Sequence, residues 1–102
     1  MAETVQEFFD GLASRADAEK TAGMNNSYLF EIEGAGQWLV AVTDGKVEVT
    51  EGGGEADTTI NTSEETMMAV VRGELNPTTA YMTGKLKIKG DMGAAMKLQK
   101  LF

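Results

Sequence analysis

The chain has 102 residues, 42% of them apolar, and a net charge of −7 from nine basic and 16 acidic side chains. That length supplies one core and one domain, here taken as 1–102. The acidic balance argues against nucleic acid, which needs a basic face. With no cysteine and no histidine there are no disulfides or thiolate nucleophiles, and the commonest metal ligand and general base near neutral pH are missing.

Thr4 and Glu7 fit a capping box. Val5, Phe8, Phe9, Leu12 and Ala16 then recur at helical spacing on one face. Asp17 fits the cap of a second short helix that Gly23 ends. In Tyr28 to Glu33, Tyr28, Phe30 and Ile32 share one strand face, with Glu31 and Glu33 on the other. Gly34-Ala35-Gly36 turns the chain. Trp38, Val40 and Val42 then alternate with Leu39 and Ala41, up to an Asp44-Gly45 hairpin signal. Val47 and Val49 mark a third strand, and Gly52-Gly53-Gly54 reads as a mobile loop. Asp57 to Asn61 is a short fourth strand.

Thr62 and Glu65 form a second candidate capping box, leading a helix with Met67, Met68, Val70 and Val71. Asn76-Pro77 starts another short helix. The helical stretch separating strands four and five suits a crossover between parallel neighbours. In the fifth strand Leu86 and Ile88 face inward, with Lys85, Lys87 and Lys89 outward. Asp91 caps a last helix whose Met92, Ala95, Met96, Leu98, Leu101 and Phe102 are apolar. A sheet apolar mainly on one face and covered by amphipathic helices is an α+β two-layer domain.

Seven methionines fit either ordinary core filling or a surface that repacks around varied apolar ligands. Phe8, Phe9 and Leu12 either dock the first helix or line a cavity. The lysine stripe reads as a solvated edge that blocks strand pairing or as a contact for membranes or an acidic partner. Among the hydroxyls, Ser63, Tyr28 and Tyr81 have no evident base partner, so no catalytic residue is nominated. No metal site or cofactor is called for.

The C-terminal block is the specific part: Gly73-Glu74-Leu75-Asn76-Pro77, then Ala80-Tyr81-Met82-Thr83-Gly84-Lys85, then Leu86-Lys87-Ile88-Lys89-Gly90-Asp91. It resembles the signature of the sterol carrier protein type-two family. Tyr28–Gly34, Trp38–Gly45 and Ala56–Ile60 resemble that family's earlier strands. The resemblance implies a five-stranded mixed sheet in the order 3-2-1-4-5, with helices on one face enclosing an apolar tunnel. It further implies non-catalytic binding and transfer of fatty acids, fatty acyl thioesters, phospholipids or sterol-like molecules. The expected wall is Phe8, Phe9, Leu12, Phe30, Ile32, Trp38, Val40, Met67, Met68, Val71, Met82, Met96 and Leu101, with Arg15 and Lys20 as weaker candidates for a lipid head group.

The alternative is an accessory or dimerisation module beside a separately encoded enzyme. The protein is expected to be a monomer or weak dimer, with transient membrane contact left open. The N-terminus lacks the apolar core of a signal peptide. Lys100-Leu101-Phe102 departs from the Ser-Lys-Leu-like ending of peroxisomal members. Both point to a cytoplasmic protein.

Overall fold

The computed structural model describes residues 4–15 and 18–97; the side chains at 13, 15, 18 and 20 fall outside that description. Helix α1 (Val5–Arg15) opens as the capping box requires, the Glu7 amide donating to Thr4 Oγ1 at 3.1 Å. Its buried stripe is Val5, Phe8, Phe9 and Leu12. A single turn, α2 (Ala18–Thr21), leads to β1 (Asn25–Glu33). The expected cap Asp17 and the expected helix residue Ala16 lie outside the described residues.

β1 pairs antiparallel with β2 (Gly36–Thr43), which pairs antiparallel with β3 (Lys46–Glu51). At the second hairpin Asp44 and Gly45 both take positive φ, 40° and 87°, as a two-residue turn matched to strand twist demands. β4 (Thr58–Ser63) lies parallel to β1, and β5 (Leu86–Gly90) lies antiparallel to β4. The sheet order is therefore β3-β2-β1-β4-β5, mixed as expected. α3 (Glu64–Val71) and α4 (Pro77–Met82) join β4 to β5, so the helical stretch expected to link parallel neighbours links an antiparallel pair instead; the parallel pair is β1 with β4, and the chain between them runs through β2 and β3. Helix α5 (Met92–Lys97) follows β5.

Alternation decides which face is covered. Tyr28, Phe30, Ile32, Trp38, Val40, Val42 and Ile60 are buried together with Phe8, Phe9, Leu12, Met24, Met67 and Met68. Phe9 is the hub of the aromatic part: its ring stacks on Trp38 at 4.8 Å and 11° and lies 5.1 Å from Phe30. Among the described residues, no helix is long and apolar enough to cross a membrane.

Two local readings change. The cap of α3 is Ser63, not Thr62: Ser63 Oγ accepts the Thr66 amide at 3.1 Å. β4 stays paired through Ser63, opposite Glu33, so Thr62 is still inside the strand. It is buried, and its hydroxyl donates to the Lys85 carbonyl at 2.9 Å. The glycine run, read as a mobile loop, lies against the outer face of β2: a Cβ on Gly54 would sit 3.2 Å from Leu39 Cδ2, and one on Gly53 2.6 Å from Gln37 Oε1. The run thus shields Leu39, which points away from the main core.

Two glycines of the C-terminal block differ in kind. Gly84 has φ +79° and open space where a Cβ would be, whereas a Cβ on Gly90 (φ +102°) would collide with the Asp57 carbonyl oxygen. Gly84→Ala should therefore cost only backbone strain, about 1 kcal/mol. Gly90→Ala should cost clearly more, because fixed backbone must move. Urea unfolding of both variants checks the order; equal losses would contradict it.

Candidate functional site

The expected wall residues fall into three places. Phe8, Phe9, Leu12, Phe30, Ile32, Trp38, Val40, Met67 and Met68 form one packed cluster, with Val71 partly buried against it. Met82 and Met96 stand outside it, 79% and 77% exposed. Leu101 and the Arg15 and Lys20 side chains lie outside the described residues.

The apolar concavity lies at the other end of the sheet from α1. It is a groove of about 250 Å³ between α4, β5 and α5, lined by Pro77, Thr78, Tyr81, Leu86, Ile88, Met92, Ala95 and Met96. Only Thr78 and the Tyr81 hydroxyl are polar. Two of the larger hollows have a different character. One, about 440 Å³ between α1 and β3, has Phe9 and Trp38 in its wall but Asp10, Glu48 and Glu51 around it. The other, about 480 Å³ at the β1–β2 turn, carries Glu31, Glu33, Gln37 and Asn61. Both would set carboxylates against an apolar chain or an anionic head group.

Local chemistry fixes the groove walls. Pro77 occupies the first turn of α4, and Asn76 Oδ1 accepts the Thr78 amide at 2.8 Å. α5 is held at its start by four contacts. The Asp91 amide donates to the Asp57 carbonyl at 2.9 Å, and Thr58 Oγ1 donates to the Asp91 carbonyl at 2.8 Å. Asp91 Oδ1 accepts the Ala94 amide at 3.1 Å. The Tyr28 hydroxyl, buried in the core, donates to the Ala94 carbonyl. Burial pushes the Tyr28 hydroxyl up to about 12, with the Asp57 and Asp91 charges adding to the shift.

Of the hydroxyls considered for chemistry, Ser63 caps a helix, Tyr28 holds α5, and Tyr81 stands half-exposed on the groove. Sequence reasoning singled out Met96 but passed over Pro77, Tyr81, Leu86, Ile88, Met92 and Ala95 as lining. The signal was present in the inward pair Leu86 and Ile88, which must be covered by whatever follows β5. Trp38 carries a second unforeseen feature. Its indole N–H is buried and has no acceptor among the described residues.

Tyr28→Phe leaves the Ala94 carbonyl without its partner and should cost about 1–2 kcal/mol. Its pH dependence is also specified. The folded-state value is raised above the ordinary 10, so the unfolded chain ionises first, and this part of the stability is complete below pH 10 and lost as pH rises toward 12. Unfolding curves against pH should show that decline in the native protein and a shallower one in Tyr28→Phe; identical slopes would contradict the assignment.

Comparison with known proteins places this geometry. Residues 5–102 match the model of the SCP-2 sterol transfer family. The chain is 36% identical over 103 aligned positions to hydroxysteroid dehydrogenase-like protein 2 of Xenopus tropicalis, covering 95% of this chain and 24% of that protein. It is 46% identical over 65 positions to sterol carrier protein 2 of Bos taurus, covering 63% of this chain and 12% of that one. The chain thus spans a quarter or less of these curated relatives. Among solved structures, sterol carrier protein domain 2 of Helicoverpa armigera superposes with a TM-score of 0.75 at 34% identity, over 95% of this chain and 84% of that one. A sec-alkylsulfatase variant, PisA1, contains the same fold in 16% of its length, with a TM-score of 0.85 at 24% identity. The five-stranded sheet, its order and the family match agree, and the chain belongs to the SCP-2 sterol transfer family.

Proposed function

We propose that this chain binds long apolar molecules without covalent chemistry: fatty acids, fatty acyl thioesters, phospholipids or sterol-like lipids. The observation that carries this reading is the groove between α4, β5 and α5, apolar in nearly every lining residue, where the other surface hollows carry charged side chains. Family membership supports the ligand class.

The driving force is removal of methylenes from water, about 0.8 kcal/mol gross for each one fully buried. Lost ligand freedom offsets a large part of that. The groove, at about 250 Å³, lies just under the ~300–1,000 Å³ usual for small-molecule sites. A long chain therefore has to widen it. Met92 and Met96 are unbranched and exposed, so they can move aside with little loss. The remainder of the chain would run between helices and sheet as a tunnel, against Phe30, Ile32, Met67, Met68 and Val71. Phe8, Phe9, Leu12, Trp38 and Val40 would form its far wall. Met82 and Leu101 would cover the mouth, and Arg15 or Lys20 would meet a charged head group. Such walls discriminate poorly between chains, so specificity should be broad. The same reading makes the protein a cytoplasmic carrier rather than an enzyme.

A second reading keeps the site and changes its setting. The chain matches a quarter or less of several longer relatives, which favours an accessory module presenting lipid to an enzyme. Lipid extraction from purified protein separates the two: copurified lipid supports the carrier, and a dry protein supports the module.

Fluorescent fatty acid displacement tests the binding itself. Affinity should rise with chain length at one saturable site. Ala95→Phe should fill the groove and weaken binding at least about tenfold while costing less than the ~1–3 kcal/mol usual for overpacking. Met67→Trp, placed in the packed cluster, should show that full cost. Equal affinity for short and long chains, or full binding by Ala95→Phe, would contradict the proposal.

A further inference from the structure

Charge is unevenly distributed along this chain. Five of the nine basic residues and one of the 16 acidic residues lie in 85–102, so that segment carries +4 while residues 1–84 carry −11. The large hydrophobic side chains exposed among the described residues gather at the same end: Tyr81, Met82, Met92 and Met96. Among the described residues, Lys85, Lys87, Lys89 and Lys97 lie on or beside β5 and α5, next to the exposed apolar side chains of α4 and α5 around the groove mouth. We infer that this edge of the molecule docks on an anionic lipid bilayer, with the groove opening onto the membrane. The inference rests on the lipid-binding reading above and adds where the ligand enters and leaves.

The topology makes the approach feasible. β5 is an outer strand, paired only with β4. Leu86 and Ile88 face the helices, so Lys85, Lys87 and Lys89 leave the strand on its other face. Lys97 ends α5 next to Met96. A bilayer meeting the β5 edge therefore touches the groove rim on one side and the lysines on the other. Lysine stems can lie along apolar surface while their heads reach phosphates. No hydrogen bond or ion pair among the described residues engages these four lysine heads. One acid, Glu33, shares a hollow with Lys85 and Lys87.

Lysines on a sheet edge also prevent strand-to-strand pairing. That role alone would not put Met82 and Met96, each more than three-quarters exposed, beside them. Unbranched, flexible methionines adapt to irregular apolar surroundings, as disordered acyl chains are. The −11 remainder is repelled by the same anionic surface, so the charge asymmetry also orients the molecule. A ligand in the groove can then pass into the bilayer without crossing water.

Vesicle flotation of the full chain tests this, using phosphatidylcholine alone and phosphatidylcholine with about 30 mol% phosphatidylserine, at low and high salt. The native protein should bind the anionic vesicles at low salt and release at high salt, where exposed charges are screened. Lys87→Gln with Lys89→Gln should weaken binding about thirtyfold. Lys46→Gln with Arg72→Gln removes the same charge elsewhere and should change it less than about threefold. Fatty acid binding without vesicles should be unaffected in both pairs. Equal loss in the two pairs, or no binding of native protein to anionic vesicles, overturns docking at this edge. Concentration-dependent oligomers that vanish in the Lys87 and Lys89 pair, in place of vesicle binding, assign the patch to a second copy and also overturn it. Loss of fatty acid binding with vesicle docking intact defeats the groove reading and leaves the docking surface standing.

Discussion

The parallel pairing of β1 with β4 is the constraint on which the rest depends. Parallel neighbours cannot be joined by a tight turn, and here the return path after β3 carries the chain across the sheet before β4 begins. Once Tyr28 lies beside Thr58, and Thr58 opposite Gly90, three segments distant in sequence meet at one corner. There Tyr28, Asp57, Thr58 and Asp91 together anchor the start of α5. The groove exists because α5 is seated at that corner while α4 is seated at the opposite end of β5.

This arrangement separates two kinds of apolar surface. Around Phe9, Trp38 and Phe30 the aromatic rings meet in close contact and water is excluded. Around β5 the covering helices are only six residues each; they bury Leu86 but leave Ile88 only partly covered. What they leave is bordered by flexible methionines. A stable core at one end and an incompletely covered strand at the other is a reasonable division of labour for a protein that must stay folded while its ligand comes and goes.

Much of this was legible locally. Thr4 with Glu7, Asp44-Gly45, Asn76-Pro77 and Asp91 each announce their turn or cap through short-range chemistry, and each is found there. The cap of α3 was not, because Thr62 and Ser63 are both able to cap and the choice is made by how far β4 stays paired with β1. Sheet order came from the resemblance, since alternation shows which residues share a face but not which strands are neighbours. The groove was the least legible feature. Helices of six residues offer too few positions to define an apolar stripe, so Met82 and Met96 were expected in the wall and Met92 was not. The folded chain brings Met92 and Met96 of α5 to the groove and leaves Met82, at the end of α4, out of its lining.

The methionines offer the most direct test that an apolar chain occupies the groove. With methyl-labelled methionine, a titration with a long-chain fatty acid should shift the Met92 and Met96 resonances saturably and together. Met24, buried between α2 and the β2–β3 hairpin and not among the groove's lining residues, should stay in place. Saturable shifts at Met24 with Met92 and Met96 unmoved would place the ligand elsewhere and contradict the account.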